Sequence, residues 1–229
     1  FLCINFMQIV RTTYLSLGSN LGNKFENLQL ALNLIEHNHS VVGYDKYLAE
    51  DVAEKHKTIV MVNSLKEMLD TLEKPRVIWI MVPSGNPTQN VIDELSDLME
   101  PGDIIIDGGN SRYSLSVERA KVLEKLGIHL LDVGTSGGTS GARDGACLMI
   151  GGKKEVFHQI ENIFSDIATK DGYAYMGKSG SGHFVKMVHN GIEYVEMQLI
   201  ASIYELLINS NRVVNFSLID DSSVTKSNI

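Results

Sequence analysis

The chain alternates between short apolar runs and longer stretches in which apolar residues recur with helical spacing. Continuous apolar runs at 76–82 and 104–107 are typical of strands in a sheet that is covered on both faces. Further strands are predicted at 128–133, 147–150 and 173–176. Helical periodicity separates these runs, at 64–72, 88–99, 114–126 and 155–168. The alternation predicts an α/β fold with a doubly wound, mostly parallel sheet.

The amino-terminal segment predicts a first strand at Met7–Val10 or at Thr12–Leu17, with residues 1–6 as an extension outside the fold. The loop G-S-N-L-G-N at 18–23 then precedes a helical pattern. A second strand is predicted at 40–45, so that Asp45 would stand at its carboxyl end.

Residues 180–207 form a long predicted helix with charged side chains. Helical geometry places Lys186, Asn190 and Glu193 within roughly 60° of one another on one face. A base and an acid two turns apart suit a reaction that removes a proton at one atom and returns one at another. The alternative is an internal Lys–Glu ion pair that braces a core helix. The opposite, apolar face predicts a core contact through Phe184, Val188, Ile192, Val195, Leu199 and Ile203.

Composition narrows the possible functions. The net charge of −8 argues against a general nucleic-acid surface, and 44% hydrophobic residues can form a sizeable core. Two cysteines give neither a disulfide framework nor a metal framework, so no metal site is predicted. No apolar run is long enough to span a membrane. We therefore expect a cytoplasmic protein with no membrane or nucleic-acid partner.

Three polar glycine loops follow predicted strands, at the sheet edge where open α/β folds bind ligands. Asp45 has the position of an acid that bonds the ribose hydroxyl of NAD. Asn110 follows the run I-I-I-D, and Ser136, Gly137 and Gly138 follow the next strand. The alternative for Asp45 is an ordinary acid at the end of a strand, and the alternative for the loops at Asn110 and at Ser136 is an ordinary tight turn. Together with the charged helix, they favour a binding site.

The motifs I-I-D-G-G-N-S-x-Y, L-D-V-G-T-S-G-G-x-x-G-A-R-D-G-A and G-H-F-V-K-M-V-H-N-G-I-E-Y resemble the decarboxylating 6-phosphogluconate dehydrogenases. The resemblance runs from about Ala31 to Leu207. It implies a dinucleotide-binding Rossmann-like domain at 1–179. Residues 180–229 would then be the truncated start of an all-α domain, beginning with its first long helix.

The resemblance also implies a mechanism in the pentose phosphate pathway. Lys186 would take the proton of the C3 hydroxyl while hydride passes to the nicotinamide. After CO2 is lost, Glu193 would protonate C1 to give ribulose 5-phosphate. The sugar phosphate would be bound by residues at the matching positions, which are Asn110, Ser136, Gly137, Gly138, His189, Asn190 and Tyr194.

For the cofactor, the resemblance implies binding by Val82, Pro83, Ser84 and Asn110, together with Gly18, Gly22 and Asp45 near the amino terminus. Because Asp45 is acidic, we expect NAD rather than NADP. The homologous proteins carry G-x-G-x-x-G before Ala31, but this chain has Gly22, Lys24 and Asn27 at the aligned positions. Residues 12–32 resemble instead the start of the pterin pyrophosphokinases, and nothing later in the chain resembles that kinase.

After Leu207 the family continues into a helical domain that supplies cations for the substrate phosphate and much of a homodimer interface. The sequence N-R-V-V-N-F-S-L-I-D-D does not match it. We therefore expect impaired turnover and leave dimerisation in doubt. Two alternatives stay open. One is a non-catalytic domain that binds nucleotide or dimerises, and the other is a β-hydroxyacid dehydrogenase that acts on an unphosphorylated acid.

Overall fold

The computed structural model describes residues 2–7, 10–14, 39–44 and 59–210. In this part of the chain nine strands form one sheet, in the order β4-β3-β2-β1-β5-β6-β7-β8-β9. The strands are β1 Leu2–Met7, β2 Val10–Tyr14, β3 His39–Tyr44, β4 Ile59–Val62, β5 Arg76–Ile80, β6 Ile104–Asp107, β7 His129–Ser136, β8 Ala146–Gly151 and β9 Ala168–Gly177. The helices are α1 Leu65–Thr71, α2 Asn86–Leu98, α3 Tyr113–Lys125, α4 Gly138–Asp144, α5 Lys154–Gln159, α6 Glu161–Ile167 and α7 Ser181–Ile208.

Most neighbouring strands in the sheet are parallel, as the sequence predicts. The parallel pairs are β2–β3, β3–β4, β5–β6, β6–β7 and β8–β9. Only β1 with each of its neighbours, and β7 with β8, run antiparallel among the described strands. The carboxyl ends of β5, β6 and β7 therefore meet at one edge of the sheet.

The prediction for residues 1–6 is wrong. Residues 2–7 form β1, which pairs with β2 on one side and with β5 on the other. The segment L-C-I-N-F-M is apolar at five of its six positions, which suits a strand that lies between two others. Of the predicted strand Met7–Val10, Met7 ends β1 and Val10 begins β2, and residues 8–9 lie outside the described residues. The alternative, Thr12–Leu17, overlaps β2 at residues 12–14, and its last three residues also lie outside the described part.

Both faces of the sheet are covered, which confirms the doubly wound architecture. In β5, Val77 and Trp79 belong to the core on one face, and Ile78 and Ile80 to the core on the other. The first core is completed by α5 and α6, through Val156, Phe157, Ile163, Phe164 and Ile167. The second is completed by α1 and α2, through Leu65, Met68, Leu69, Ile92 and Leu95. Burial on both faces explains the continuous apolar run of β5.

The chain forms two compact units, Phe1–Met187 and Val188–Ile229. Helix α7 begins in the first unit and ends in the second. In the described part of the second unit, the apolar side chains are largely exposed: Ile192 by 59%, Val195 by 68% and Leu199 by 59%. The core contact predicted for this face is therefore not made by the described residues. None of the described helices combines the length and the apolar character needed to cross a bilayer.

Candidate active site

The loops after β5 and β6 pack tightly against each other at the carboxyl edge of the sheet. A Cβ atom on Gly109 would lie 2.6 Å from the carbonyl oxygen of Val82. One on Gly108 would lie 2.1 Å from Nε1 of Trp79. These two positions therefore require glycine, because a side chain at Gly109 would push the loops apart and one at Gly108 would displace the Trp79 ring of β5.

Asn110 links the loop after β6 to the end of β7. Its Nδ2 donates to the carbonyl of Thr135 at 3.0 Å, and its Oδ1 accepts the Thr135 N–H at 3.0 Å. The residue has a positive φ of 52°, a conformation that asparagine tolerates better than most residues. One amide hydrogen and one oxygen lone pair remain outside this paired contact.

Lys186 and Ser136 meet through a direct hydrogen bond. The Lys186 side chain is buried, and its Nζ donates to Oγ of Ser136 at 2.7 Å. Glycines bring the helix and the strand together at this point. A Cβ on Gly134 of β7 would lie 2.5 Å from Cβ of Lys186, and one on Gly182 would lie 2.3 Å from the Asp132 carbonyl oxygen. This close packing of the backbones places Lys186 beside Ser136 at the end of β7.

Asp132 anchors the start of α7 to the sheet. Its buried carboxylate accepts the N–H of Gly180 at 2.6 Å and the N–H of His183 at 3.0 Å. A negative charge at this end of a helix is favourable, because the first N–H groups lack partners within the helix. Nδ1 of His183 also lies 2.8 Å from Oγ of Ser116 in α3. These contacts fix the first turns of α7, from which Lys186 projects.

Sequence reasoning missed Asp132 as a positioning group. The available signal was an acid inside the apolar run L-L-D-V, since a buried carboxylate needs hydrogen-bond donors.

Arg119 is a second residue that sequence reasoning missed. Its guanidinium donates to Asp107 Oδ2 at 3.0 Å, Ser111 Oγ at 3.1 Å, Gln89 Oε1 at 2.9 Å and the Gly85 carbonyl at 3.4 Å. The buried Asp107 at the end of β6 was the sequence signal, because such a carboxylate requires a cation or several donors.

The predicted glycine pair after Ser136 opens the short helix α4. Gly137 has a φ of 130°, and a Cβ there would lie 2.7 Å from Cα of Gly141. Gly138 has a φ of 53° and open space where a Cβ would be. The first glycine is thus required by close packing, and both are favoured by their backbone conformation.

The loop after β5 contains three of the predicted cofactor residues. Val82 is buried, the carbonyl of Pro83 accepts the Thr88 hydroxyl at 2.9 Å, and Ser84 is exposed. The other predicted cofactor residues, Gly18, Gly22 and Asp45, lie outside the described residues.

The remaining predicted residues belong to the second unit. Nδ1 of His189 lies 3.4 Å from Oδ1 of Asn190 and 3.8 Å from Oε2 of Glu193. The Glu193 side chain is 55% exposed and Tyr194 is 67% exposed. The acid and the aromatic residue are thus accessible on this unit.

Comparison with known sequences gives two family matches. Residues 28–189 match the NAD binding domain of 6-phosphogluconate dehydrogenase, and residues 182–220 match its C-terminal domain. The second match includes residues 211–220, so the expectation that the segment after Leu207 does not match the helical domain of the family is wrong for these residues. The chain is 44% identical over 194 residues to the Bacillus subtilis protein YqeC, covering 85% of this chain and 62% of that protein. It is 44% identical over 190 residues to human 6-phosphogluconate dehydrogenase, decarboxylating, covering 78% of this chain and 39% of the human protein. The chain thus spans less than two thirds of either relative.

The solved structures that resemble this chain include a 6-phosphogluconate dehydrogenase. Plasmodium falciparum 6-phosphogluconate dehydrogenase superimposes with a TM-score of 0.74 at 30% identity, covering 84% of this chain and 43% of that one. Mycobacterium tuberculosis 3-hydroxyisobutyrate dehydrogenase superimposes with a TM-score of 0.74 at 23% identity, covering 95% of this chain and 72% of that one, which shows a shared fold alone. On the family match over most of its length, the chain belongs to the 6-phosphogluconate dehydrogenase family.

Proposed function

We propose that the chain takes part in the oxidative decarboxylation of 6-phosphogluconate to ribulose 5-phosphate with a nicotinamide dinucleotide. The observation that carries the proposal is the hydrogen bond of the buried Lys186 amino group to the Ser136 hydroxyl, next to the glycine loop that follows β7. The human relative is named as the decarboxylating enzyme, and the Plasmodium structures are described with NADP+ and with 6-phosphogluconate. Loops that follow parallel strands are also where open α/β folds bind dinucleotides.

The residues supply the proton transfers of this reaction. Lys186, as the neutral amine, accepts the proton of the C3 hydroxyl, and its bond to Ser136 orients the nitrogen. When bound, the nicotinamide accepts hydride from C3. The resulting 3-keto acid loses CO2, because the ketone stabilises the electrons left at C2. Glu193 then supplies a proton to this same carbon of the enediol, which is C1 of ribulose 5-phosphate.

The loops described here fit a dinucleotide. Gly108 is buried and Gly109 is half-buried, and their lack of side chains lets the two loops pack closely beneath the exposed Asn110. Asn110 is held at the end of β7 with part of its amide outside the paired contact with Thr135. Ser136, Gly137 and Gly138 provide a hydroxyl and accessible backbone for the sugar acid. His189, Asn190 and Tyr194 complete the proposed substrate set from α7.

We propose that NAD binds more tightly than NADP. The support is the Asp45 carboxylate, which can accept a hydrogen bond from a ribose hydroxyl and would repel a 2′-phosphate. Lys24 and Asn27 replace glycines at the pyrophosphate loop, so the affinity for either nucleotide is expected to be low. A homodimer and a cytoplasmic location follow from the same family assignment as proposals.

The first test is calorimetric titration with NAD and NADP, followed by CO2 release from labelled 6-phosphogluconate. Lys186→Met should lower the rate of CO2 release by about 10²- to 10⁴-fold and leave nucleotide affinity unchanged. Lys178→Met, at an exposed lysine just before α7, is the matched control and should leave both unchanged. Nucleotide binding without CO2 release from the unchanged chain would favour a non-catalytic domain. Oxidation of unphosphorylated acids alone would favour a hydroxyacid dehydrogenase.

A further inference from the structure

The buried side chain of Arg119 donates hydrogen bonds to both loops at the sheet edge where we propose that the dinucleotide binds. Arg119 in α3 has a side chain only 4% exposed, and its charge is balanced by Asp107 at the end of β6. The same guanidinium reaches Ser111 in the loop after β6 and the Gly85 carbonyl in the loop after β5. Its Nε donates to Gln89 in α2.

Asp107 extends this network to the backbone of its own loop. While Oδ2 accepts the Arg119 guanidinium, Oδ1 accepts the N–H of Gly109 at 3.1 Å. Gly109 is the residue that packs against the carbonyl of Val82. The ion pair and the contact between the two loops are therefore joined through a single carboxylate.

We propose that Arg119 is a positioning residue, which holds the loops 82–85 and 108–111 at the separation that a dinucleotide requires. The identity of the ligand rests on the proposed function, whereas the role of Arg119 in positioning the two loops does not depend on it. The near-complete burial of Arg119 argues against direct contact with a ligand. A planar group with five donors is suited to this task, because it can bond several acceptors in fixed directions.

A second buried ion pair in the chain serves as a control, because it distinguishes an effect on the loops from a general loss of stability. Arg76 forms a second buried pair with Asp103, at the amino ends of β5 and β6. Its contacts lie at the edge of the sheet opposite to the two loops. Removing Arg76 therefore removes a buried cation without touching the loop network.

The experiment compares Arg119→Ala and Arg119→Lys with Arg76→Ala, below the unfolding temperature of each variant. Two readouts are used: nucleotide affinity by calorimetry, and amide hydrogen exchange of peptides that contain residues 82–85 and 108–111. In Arg119→Ala, we expect affinity to fall by about tenfold and exchange to accelerate in both peptides. Arg119→Lys should give an intermediate result, since one ammonium cannot bond all four acceptors. Arg76→Ala should leave both readouts within about twofold of the unchanged chain.

Chemical rescue of Arg119→Ala by added guanidinium ion provides a further check, because a variant that is merely less stable would not respond to this ion. A cleft of about 210 Å³ between α2 and α3 is lined by residues that include Gln89, Leu115 and Arg119. Guanidinium ion added to Arg119→Ala has access through this cleft and should slow loop exchange, whereas it should leave Arg76→Ala unaffected.

The outcomes separate the two proposals. If the unchanged chain binds neither nucleotide, the proposed function fails, and loop exchange alone decides the role of Arg119. Normal exchange of both loops in Arg119→Ala would overturn the inference. So would equal acceleration in Arg76→Ala, because the effect would then reflect general destabilisation.

Discussion

The two ends of strands β5 and β6 use the same kind of ion pair for different purposes. At the amino ends, Asp103 accepts the backbone N–H of Arg76 at 2.8 Å, its Nη1 at 3.1 Å and the Glu100 N–H at 3.0 Å. These partners are the first residue of β5 and the turn that precedes β6. At the carboxyl ends, Arg119 reaches across from α3 to Asp107, α2 and two loops.

The difference lies in what remains when the cation is removed. Asp103 would keep two backbone N–H donors, whereas Asp107 would keep only that of Gly109. A buried carboxylate is costly in proportion to the partners that it lacks. The carboxyl-end pair is therefore the more dependent on its arginine, which is also where the proposed site lies.

The largest effect is expected for Arg119→Ala. It leaves Asp107 fully buried with a single donor, so the free energy of unfolding should fall by about 3–5 kcal/mol. Urea unfolding followed by the fluorescence of Trp79, the single tryptophan, measures this loss. A loss below about 1 kcal/mol would show that Asp107 finds other partners or takes up a proton.

Arg76→Ala should cost less, about 1–3 kcal/mol, because the two backbone donors to Asp103 remain. The same unfolding experiment gives the value. If Arg76→Ala proved the more destabilising of the two, burial of the amino-end pair would outweigh its local donors, and the contrast between the ends would be wrong.

Glycine substitutions sharpen the comparison without changing charge. At the carboxyl ends, Gly109→Ala places a Cβ 2.6 Å from the Val82 carbonyl, which should cost about 1–3 kcal/mol and move the loops apart. At the amino ends, Gly102→Ala has open space and suffers only from its φ of +98°, at about 1 kcal/mol. Unfolding gives both values, and calorimetry should show weaker nucleotide binding for Gly109→Ala alone. Equal binding by the two variants would separate loop packing from the site.

Local rules predicted much of this architecture from the sequence. The run at 104–107 coincides with β6, and the predicted helix 64–72 contains α1, which Ser64 caps by accepting the N–H of Glu67 at 3.1 Å. These features depend on neighbouring residues only. The predicted helix 155–168 is instead two helices, α5 and α6, which meet at Ile160. Ile160 is fully buried and fits the apolar period, so the pattern carries no sign of the break.

Long-range pairing could not be read from the sequence. The helical pattern and the motif both single out Lys186, but its partner Ser136 lies 50 residues earlier and meets it because Gly134 and Gly182 allow close packing. Arg119 occupies an ordinary position in an amphipathic helix. Its contacts arise because β5 and β6 are parallel neighbours, so that the loops after both strands lie within hydrogen-bonding distance of its guanidinium.

The smallest effect is expected at the surface of the amino-end pair, where the exposed Lys74 bonds Glu100. This hydrogen bond, chiefly, lowers the pKa of Glu100 from 4.5 in the folded chain, against a smaller opposing effect of desolvation. A lowered carboxyl pKa stabilises the folded state above the unfolded pKa, and the contribution disappears as pH falls through the folded pKa. Lys74→Gln should therefore lower the melting temperature by at most about 2 °C at neutral pH, because exposed pairs are screened by solvent. The difference between Lys74→Gln and the unchanged chain should vanish in thermal scans once the pH has fallen below the lowered pKa of Glu100 in the folded chain. A difference that grew on acidification would assign the effect of Lys74 to a group other than the Glu100 carboxylate.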